Sequence, residues 1–226
     1  MVSSLAPPDG GAIEPLADVP ALGHRVHRQL ENLIITRVLP PKARLVEGEL
    51  AKTLGVSRGP IRTALYQLAL DGFVDLRPRQ GAVVRQPTAK EIDDFFDIRR
   101  DLEGESARLA ALRITPESAR QLSDCIERAQ SYLADDKDPI DEVPGLHQII
   151  GVIADNNELT QYLTLHRKRS VWYRAPFEPE LRKKAWDEHL AIVHMIIRGD
   201  AMAAATAMQA HIDGSRARRH LHGEES

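Results

Sequence analysis

The segment Gly55-Val56-Ser57-Arg58-Gly59-Pro60-Ile61-Arg62-Thr63-Ala64-Leu65 constrains the fold of this chain more than any other stretch. Ser57 suits a helix N-cap, Pro60 suits a first helical turn, and the apolar residues that follow recur at helical spacing. Arg58 and Arg62 stand four apart, so both project from one face of that helix. A guanidinium pairs bidentately with a guanine edge or a phosphate, and two on one face are what a groove-reading helix requires. The competing reading is a solvated helix face, and the flanking residues decide between them.

Glu47 to Leu54 reads as a short helix with Leu50, Ala51 and Leu54 inward, and Gly55 supplies its stop. Helix, glycine turn and second helix make a helix-turn-helix. Upstream, Val26, Leu30, Ile34 and Ile35 mark a supporting helix that ends before Pro40-Pro41. Downstream, Gly72 to Leu76 and Ala82 to Arg85 read as two short strands around the polar turn Arg77-Pro78-Arg79-Gln80-Gly81. Three helices followed by a β-hairpin predict a winged helix over residues 22–86. Within that segment eleven basic residues stand against five acidic ones, a surplus of six. The whole chain carries −3, so the remainder carries −9, and the nucleic-acid contact belongs to the first part.

These spaced positions resemble the GntR family of transcription regulators. The resemblance rests on Pro40-Pro41-Lys42-Ala43-Arg44-Leu45-Val46-Glu47, on Leu50-Ala51, on Leu54 to Arg62, on Ala64-Leu65 and Leu68, and on Asp71-Gly72-Phe73-Val74 with Gly81. It implies DNA contacts at Ser57, Arg58, Gly59, Arg62 and the wing glycine Gly81; Arg44 and Arg79, two of the segment's basic residues, are expected to join them. Some members place an arginine in the second helix where this chain has Gly48, which removes one contact.

Composition sets the frame for the rest. The 226 residues suffice for two cores. No run approaches the roughly 20 apolar residues that span a bilayer, and the N-terminus lacks the pattern of a signal peptide, so a cytoplasmic location is expected. Residues 1–21 are rich in Pro, Gly, Ser and Ala and are expected to form a disordered tail. The single Cys125 excludes an internal disulfide and reads as a small buried residue rather than a redox sensor.

From residue 88 to about residue 219 the pattern is all helical. Thr88 and Glu91 form a capping-box pair ahead of a helix through Ile92, Phe95, Phe96, Ile98 and Leu102 to about Leu112. Further helices are expected from Thr115-Pro116, over Asp141 to Asp155, Glu158 to Arg174 and Pro179 to Arg198, and from Asp200 to about Arg219. If the last two fold back at Gly199-Asp200, His189 and His211 both lie about 15 Å from the turn and stand level. On geometry alone a packed histidine pair is the commoner outcome of such a hairpin. Two level imidazoles in a bundle also start a divalent metal site, with His147 as a third ligand.

This half resembles the FCD effector domain of FadR-type GntR regulators. The residues that carry it are Arg99-Arg100-Asp101-Leu102-Glu103 with Ala107 to Ala111, Leu146-His147 with Asn156 and Leu159, and Glu188 to Ile192 with Gly199-Asp200, Ala203, Ala204, Met208 and His211. It implies a small-molecule sensing and dimerisation domain, with metal ligands at His147, His189 and His211 and zinc as the default ion. The family's aspartate four residues before the first histidine is Val143 here. The expectation is therefore a structural metal that is weak or absent, or a three-histidine site completed by water or an effector carboxylate. Glu142 reaches that site only if Pro144-Gly145 distort the turn. Arg99 either matches an arginine that approaches a bound carboxylate or serves as a plain surface salt-bridge partner, and Asn156 either lines the same cavity or caps the next helix. Trp172 and Tyr173 read as core or interface aromatics, and His166, His194, His220 and His222 as surface or packing residues.

Together these readings predict a non-enzymatic, ligand-responsive regulator. It would act as a repressor, a homodimer on a pseudo-palindromic operator, tuned by a small organic acid. Two rivals are a constitutive DNA-binding protein with an inert helical dimerisation domain and a three-histidine metal-dependent hydrolase. The hydrolase leaves the winged helix without a purpose.

Overall fold

The computed structural model describes residues 19–77, 81–135, 137, 139, 145–173 and 179–223. Expectations for the tail through residue 18, for Arg79, and for Val143 and Glu142 fall outside the described residues. The chain divides into two compact units, one ending at Gln86 and one beginning at Pro87.

The first unit runs α1 (Val19–Ile35), β1 (Arg44–Leu45), α2 (Glu47–Leu54), α3 (Arg58–Leu70), β2 (Val74–Arg77) and β3 (Gly81–Val84). Its core is Val26, Leu30 and Ile34 of α1 against Ile61, Ala64, Leu65 and Leu68 of α3, closed by Phe73, Val74, Ala82 and Val84. The spacing of these residues, three and four apart on each helix, is what buries one stripe and leaves the other face wet. Gly55 ends α2 at φ 65°, and its N–H bonds the Ala51 carbonyl.

The wing differs from a plain hairpin. β1 adds a third strand, and the sheet order is β1-β3-β2, antiparallel throughout, with Leu45 opposite Ala82 and Leu76 also opposite Ala82 on the other side. A two-residue strand has no alternation to betray it; β3 defines it by pairing. Gly81 sits at φ 84°, and a β-carbon there would lie 2.5 Å from the Leu45 carbonyl oxygen. The close approach of β1 to β3 therefore needs glycine at this position.

Among the described residues the second unit contains only helices: α4 (Ala89–Leu112), α5 (Pro116–Ala134), α6 (Leu146–Ala154), α7 (Asn157–Tyr173), α8 (Pro179–Ile197) and α9 (Ala201–Gly223). α4 is the central helix, packed on α6, α7, α8 and α9. Thr88 and Glu91 close a reciprocal capping box at its start, and Thr115 with Ser118 does the same for α5. Asp200 accepts the Ala203 N–H at 3.1 Å and starts α9 after the turn at Gly199.

Ile98, one of the apolar residues through which α4 runs, is 55% exposed. The buried stripe of α4 follows Ile92, Phe96, Glu103 and Ala110, and at 100° per residue Ile98 lies about 120° round from it. Ser57 occupies the N-cap position of α3, yet its hydroxyl makes no capping bond. The region expected as a helix from Asp141 is described only as α6, from Leu146.

Candidate functional site

The first unit presents α3 as its polar face. Ser57, Arg58, Gly59 and Arg62 are all exposed at the start of that helix. Arg62 forms a paired bond with Glu47 of α2, Nε to Oε1 at 3.2 Å and Nη2 to Oε2 at 3.0 Å. This contact and the presence of Arg58 hold the Glu47 carboxyl below its usual range, with the Arg62 hydrogen bond the largest cause. Arg44 is exposed on β1, and Gly81 is half-buried at the start of β3.

The second unit gathers its histidines from three helices. His147 at the start of α6, His189 on α8 and His211 on α9 each bring one ring nitrogen within 4.8 Å of the others. The Nε2 atoms of His147 and His189 are 3.2 Å apart, and the rings of His189 and His211 lie 4.3 Å apart between centroids. The α8–α9 hairpin sets the second pair level, and α6 brings the third.

Two carboxylates orient these rings. His147 Nδ1 meets Glu103 Oε2 at 3.0 Å, and His211 Nδ1 meets Glu188 Oε2 at 2.8 Å. A carboxylate accepts only, so each of these Nδ1 atoms carries a proton, which in a neutral ring leaves Nε2 with its lone pair. Glu103 is 4% exposed, at the centre of α4. Burial opposes its ionisation, but His147 and Arg99 more than offset that and hold its carboxyl at about 2. Glu188 is likewise held at about 2 against burial, by hydrogen bonds from His211 and Arg218. Arg218 donates to both of its oxygens at 2.9 Å.

The imidazoles are pushed the other way. Burial, with the neighbouring positive groups, depresses His189 well below the ordinary histidine range and His211 to about 4. Both are neutral at physiological pH. His189 Nδ1 is buried with no hydrogen-bond partner among the described residues. The donor set fits a borderline divalent ion: three converging imidazole nitrogens, two of the rings oriented by carboxylates. Ligand nitrogens on a tetrahedral zinc at 2.0–2.1 Å stand about 3.3 Å apart, close to the 3.2 Å between His147 and His189.

Arg99 borders this cluster, near enough that its charge helps depress both His189 and His211. Its side chain is 12% exposed, and its Nε reaches Glu103 at 3.4 Å. The Nη donors of Arg99 bond no other described residue. Asn156 takes the capping role of its two alternatives: its Oδ1 accepts the Leu159 N–H at 3.2 Å. Trp172 and Tyr173 are buried, as is Cys125, whose thiol burial pushes up. His166 packs on Phe95 with rings stacked at 5.0 Å. Glu103, Glu188 and Arg218 were not foreseen from sequence. Glu103 and Glu188 stood inside the matched motifs, but charged residues on a helix ordinarily face water.

A winged helix-turn-helix and a helical unit built around a histidine cluster define a class of two-part bacterial regulators. Residues 22–84 match the model for bacterial regulatory proteins of the gntR family, and residues 94–214 match the FCD domain. The HTH-type transcriptional repressor RspR of Escherichia coli (strain K12) is 28% identical over 200 residues, covering 84% of this chain and 86% of that one. The HTH-type transcriptional regulator YdfH of E. coli O6:H1 is 28% identical over 206 residues, 87% of this chain and 88% of its own. The solved structure of E. coli McbR/YncC superposes with a TM-score of 0.73 at 22% identity, over 89% of this chain and 98% of that one. The chain belongs to the GntR family, in the branch that carries an FCD domain, and is a DNA-binding transcription regulator. Among the described residues, no helix is long and apolar enough to cross a membrane.

Proposed function

We propose that this regulator is a homodimeric repressor that reads a pseudo-palindromic operator and responds to a small organic acid bound at the histidine cluster. Ser57, Arg58, Gly59 and Arg62 enter the major groove, while Arg44, Arg79 and Gly81 serve backbone contacts beside it. His147, His189 and His211 hold a divalent ion, zinc by ligand type, and Arg99 takes the effector carboxylate. When bound, the ion would supply a Lewis-acid anchor for that carboxylate in place of the missing protein carboxylate at Val143.

One observation carries the reading. A nearly buried guanidinium whose terminal donors bond no described residue stands beside three converging imidazoles, two of them fixed by carboxylates. Such a corner is prepared for an anion and a cation together. Both carboxylates are committed to Nδ1 atoms, so neither is placed as a general base, which disfavours hydrolysis.

The test has two arms. Protein purified without chelator is assayed for metal, stripped, and melted with and without zinc. One equivalent of zinc and a raised melting temperature, both lost in His211→Ala, are expected. Operator binding is then measured against a panel of small carboxylic acids. Release by one acid in wild type but not in Arg99→Ala supports the effector site. Insensitivity to the whole panel would favour constitutive binding.

A further inference from the structure

Glu47 opens α2 and turns its carboxylate to Arg62 of α3. The pair is bidentate through Nε and Nη2, at 3.2 and 3.0 Å. A guanidinium has five N–H donors on distinct edges. Glu47 fills the side-on edge. The end-on edge, Nη1 with the second Nη2 hydrogen, bonds nothing else among the described residues, and the Arg62 side chain is 71% exposed. That free edge is the fork that matches O6 and N7 of guanine.

The next residue completes the arrangement. A β-carbon at Gly48 would come within 3.4 Å of Arg58 Nη2 and 3.9 Å of both its Cζ and Nε. The Arg58 guanidinium thus lies over bare backbone, a space that a longer residue at 48 would fill. Glu47 feels both arginines electrostatically. As a device for stability the pair counts for little, because exposed ion pairs hardly stabilise a fold. Its consequence is for geometry.

The geometry points to Glu47 as a positioning residue for base readout: it fixes Arg62 side-on so that the end-on fork meets one guanine, while Gly48 lets Arg58 lie alongside. This inference rests on the reading that Arg62 faces base edges. It carries a distinctive sign. A carboxylate near the phosphates repels DNA, so Glu47 weakens sequence-independent binding while it sharpens discrimination.

The experiment uses the full chain. A randomised duplex pool, selected and sequenced on wild type, defines the preferred duplex. Affinities are then measured for that duplex, for versions with each guanine replaced by adenine, and for a scrambled duplex, across a salt series. Wild type is expected to discriminate about tenfold or more at one guanine. In Glu47→Ala that ratio falls several-fold toward one, while affinity for the scrambled duplex is unchanged or higher. Glu47→Gln, which keeps one carbonyl acceptor, falls between them and carries the test if the alanine variant does not fold. An unchanged ratio in the Glu47 variants, or a parallel loss on preferred and scrambled duplexes, overturns the inference. Arg62→Ala separates the two levels. If it leaves discrimination intact, the assignment of Arg62 to bases fails and the inference with it. If it abolishes discrimination and the Glu47 variants do not, only the role of Glu47 falls.

Discussion

Replacing Glu188 with glutamine tests whether the histidine cluster is an organised centre. The Glu188 carboxylate receives three bonds: Arg218 Nη1 to Oε1, Arg218 Nη2 to Oε2, and His211 Nδ1 to Oε2. Glutamine keeps the volume but offers one acceptor oxygen, and its amide presents N–H groups to donors. Arg218, with its side chain 6% exposed, loses the Glu188 carboxylate while keeping its other contacts, among them Ser215 Oγ at 3.2 Å. Breaking a buried pair by removing one partner costs about 3–5 kcal/mol, and the Ser215 contact with the partial exposure of Glu188 puts this case near the lower end. The pKa gives the same scale. Depression from 4.5 to about 2 corresponds to roughly 3 kcal/mol of preference for the charged form.

Both tryptophans of the chain, Trp172 and Trp186, lie in the second unit, so intrinsic fluorescence reports the unfolding of that unit alone. A loss of about 3 kcal/mol in a domain of this size lowers the melting temperature by roughly 6–12 °C. The His211 tautomer is no longer pinned, and zinc affinity of the stripped protein falls about 10- to 100-fold in a competition titration. A Glu188→Gln protein within 1 kcal/mol of wild type and within about twofold in zinc affinity would refute the chain of reasoning from Arg218 through Glu188 to His211.

Acid denaturation of the stripped protein follows from Glu103 and Glu188. Their folded pKa values lie below the unfolded one, so their contribution is complete above pH 4.5 and is lost as pH falls toward about 2. Fluorescence-monitored acid titration should show Glu188→Gln with a shallower loss across that window than wild type. Gly81→Ala combines a φ of 84° with a β-carbon 2.5 Å from the Leu45 carbonyl. It should cost about 1–3 kcal/mol locally, seen as faster hydrogen exchange at the Val84 amide, which bonds the Ala43 carbonyl. Arg113 donates to the Ala154 and Asp155 carbonyls at the end of α6. Arg113→Ala should destabilise the second unit by about 1–2 kcal/mol in urea titration.

What the sequence disclosed and what it withheld divide along a physical line. Local chemistry was legible. The Thr88–Glu91 box, the Gly55 stop, the α8–α9 turn at Gly199-Asp200 and the recognition-helix spacing are each written in a few consecutive residues. The level pairing of His189 with His211 was reachable because a hairpin converts counting into distance. β1 was not legible, since two residues become a strand only when β3 lies beside them.

Glu103 and Glu188 show why the rest of the centre stayed hidden. A carboxylate on a helix reads as solvated unless its partners are known, and these partners sit on other helices: His147 on α6 for Glu103, His211 and Arg218 on α9 for Glu188. A buried acid is tolerated only where a cation or donor offsets its desolvation, so it cannot be foreseen before the packing is. The same reasoning links the histidines to the fold. Their environment keeps a second proton off His189 and His211, so each of these rings holds one N–H and one lone pair, and His189 Nε2 faces His147 Nε2 across 3.2 Å. That contact needs either one hydrogen between the two nitrogens, which His189 Nε2 supplies when its buried Nδ1 carries the lone pair, or a cation between them. His189 Nδ1, without a hydrogen-bond partner among the described residues, is the mark of that choice. A nitrogen-resolved NMR titration of the imidazoles, with and without zinc, reads it directly: zinc should shift all three Nε2 signals together, and a response confined to His189 would leave only the hydrogen bond.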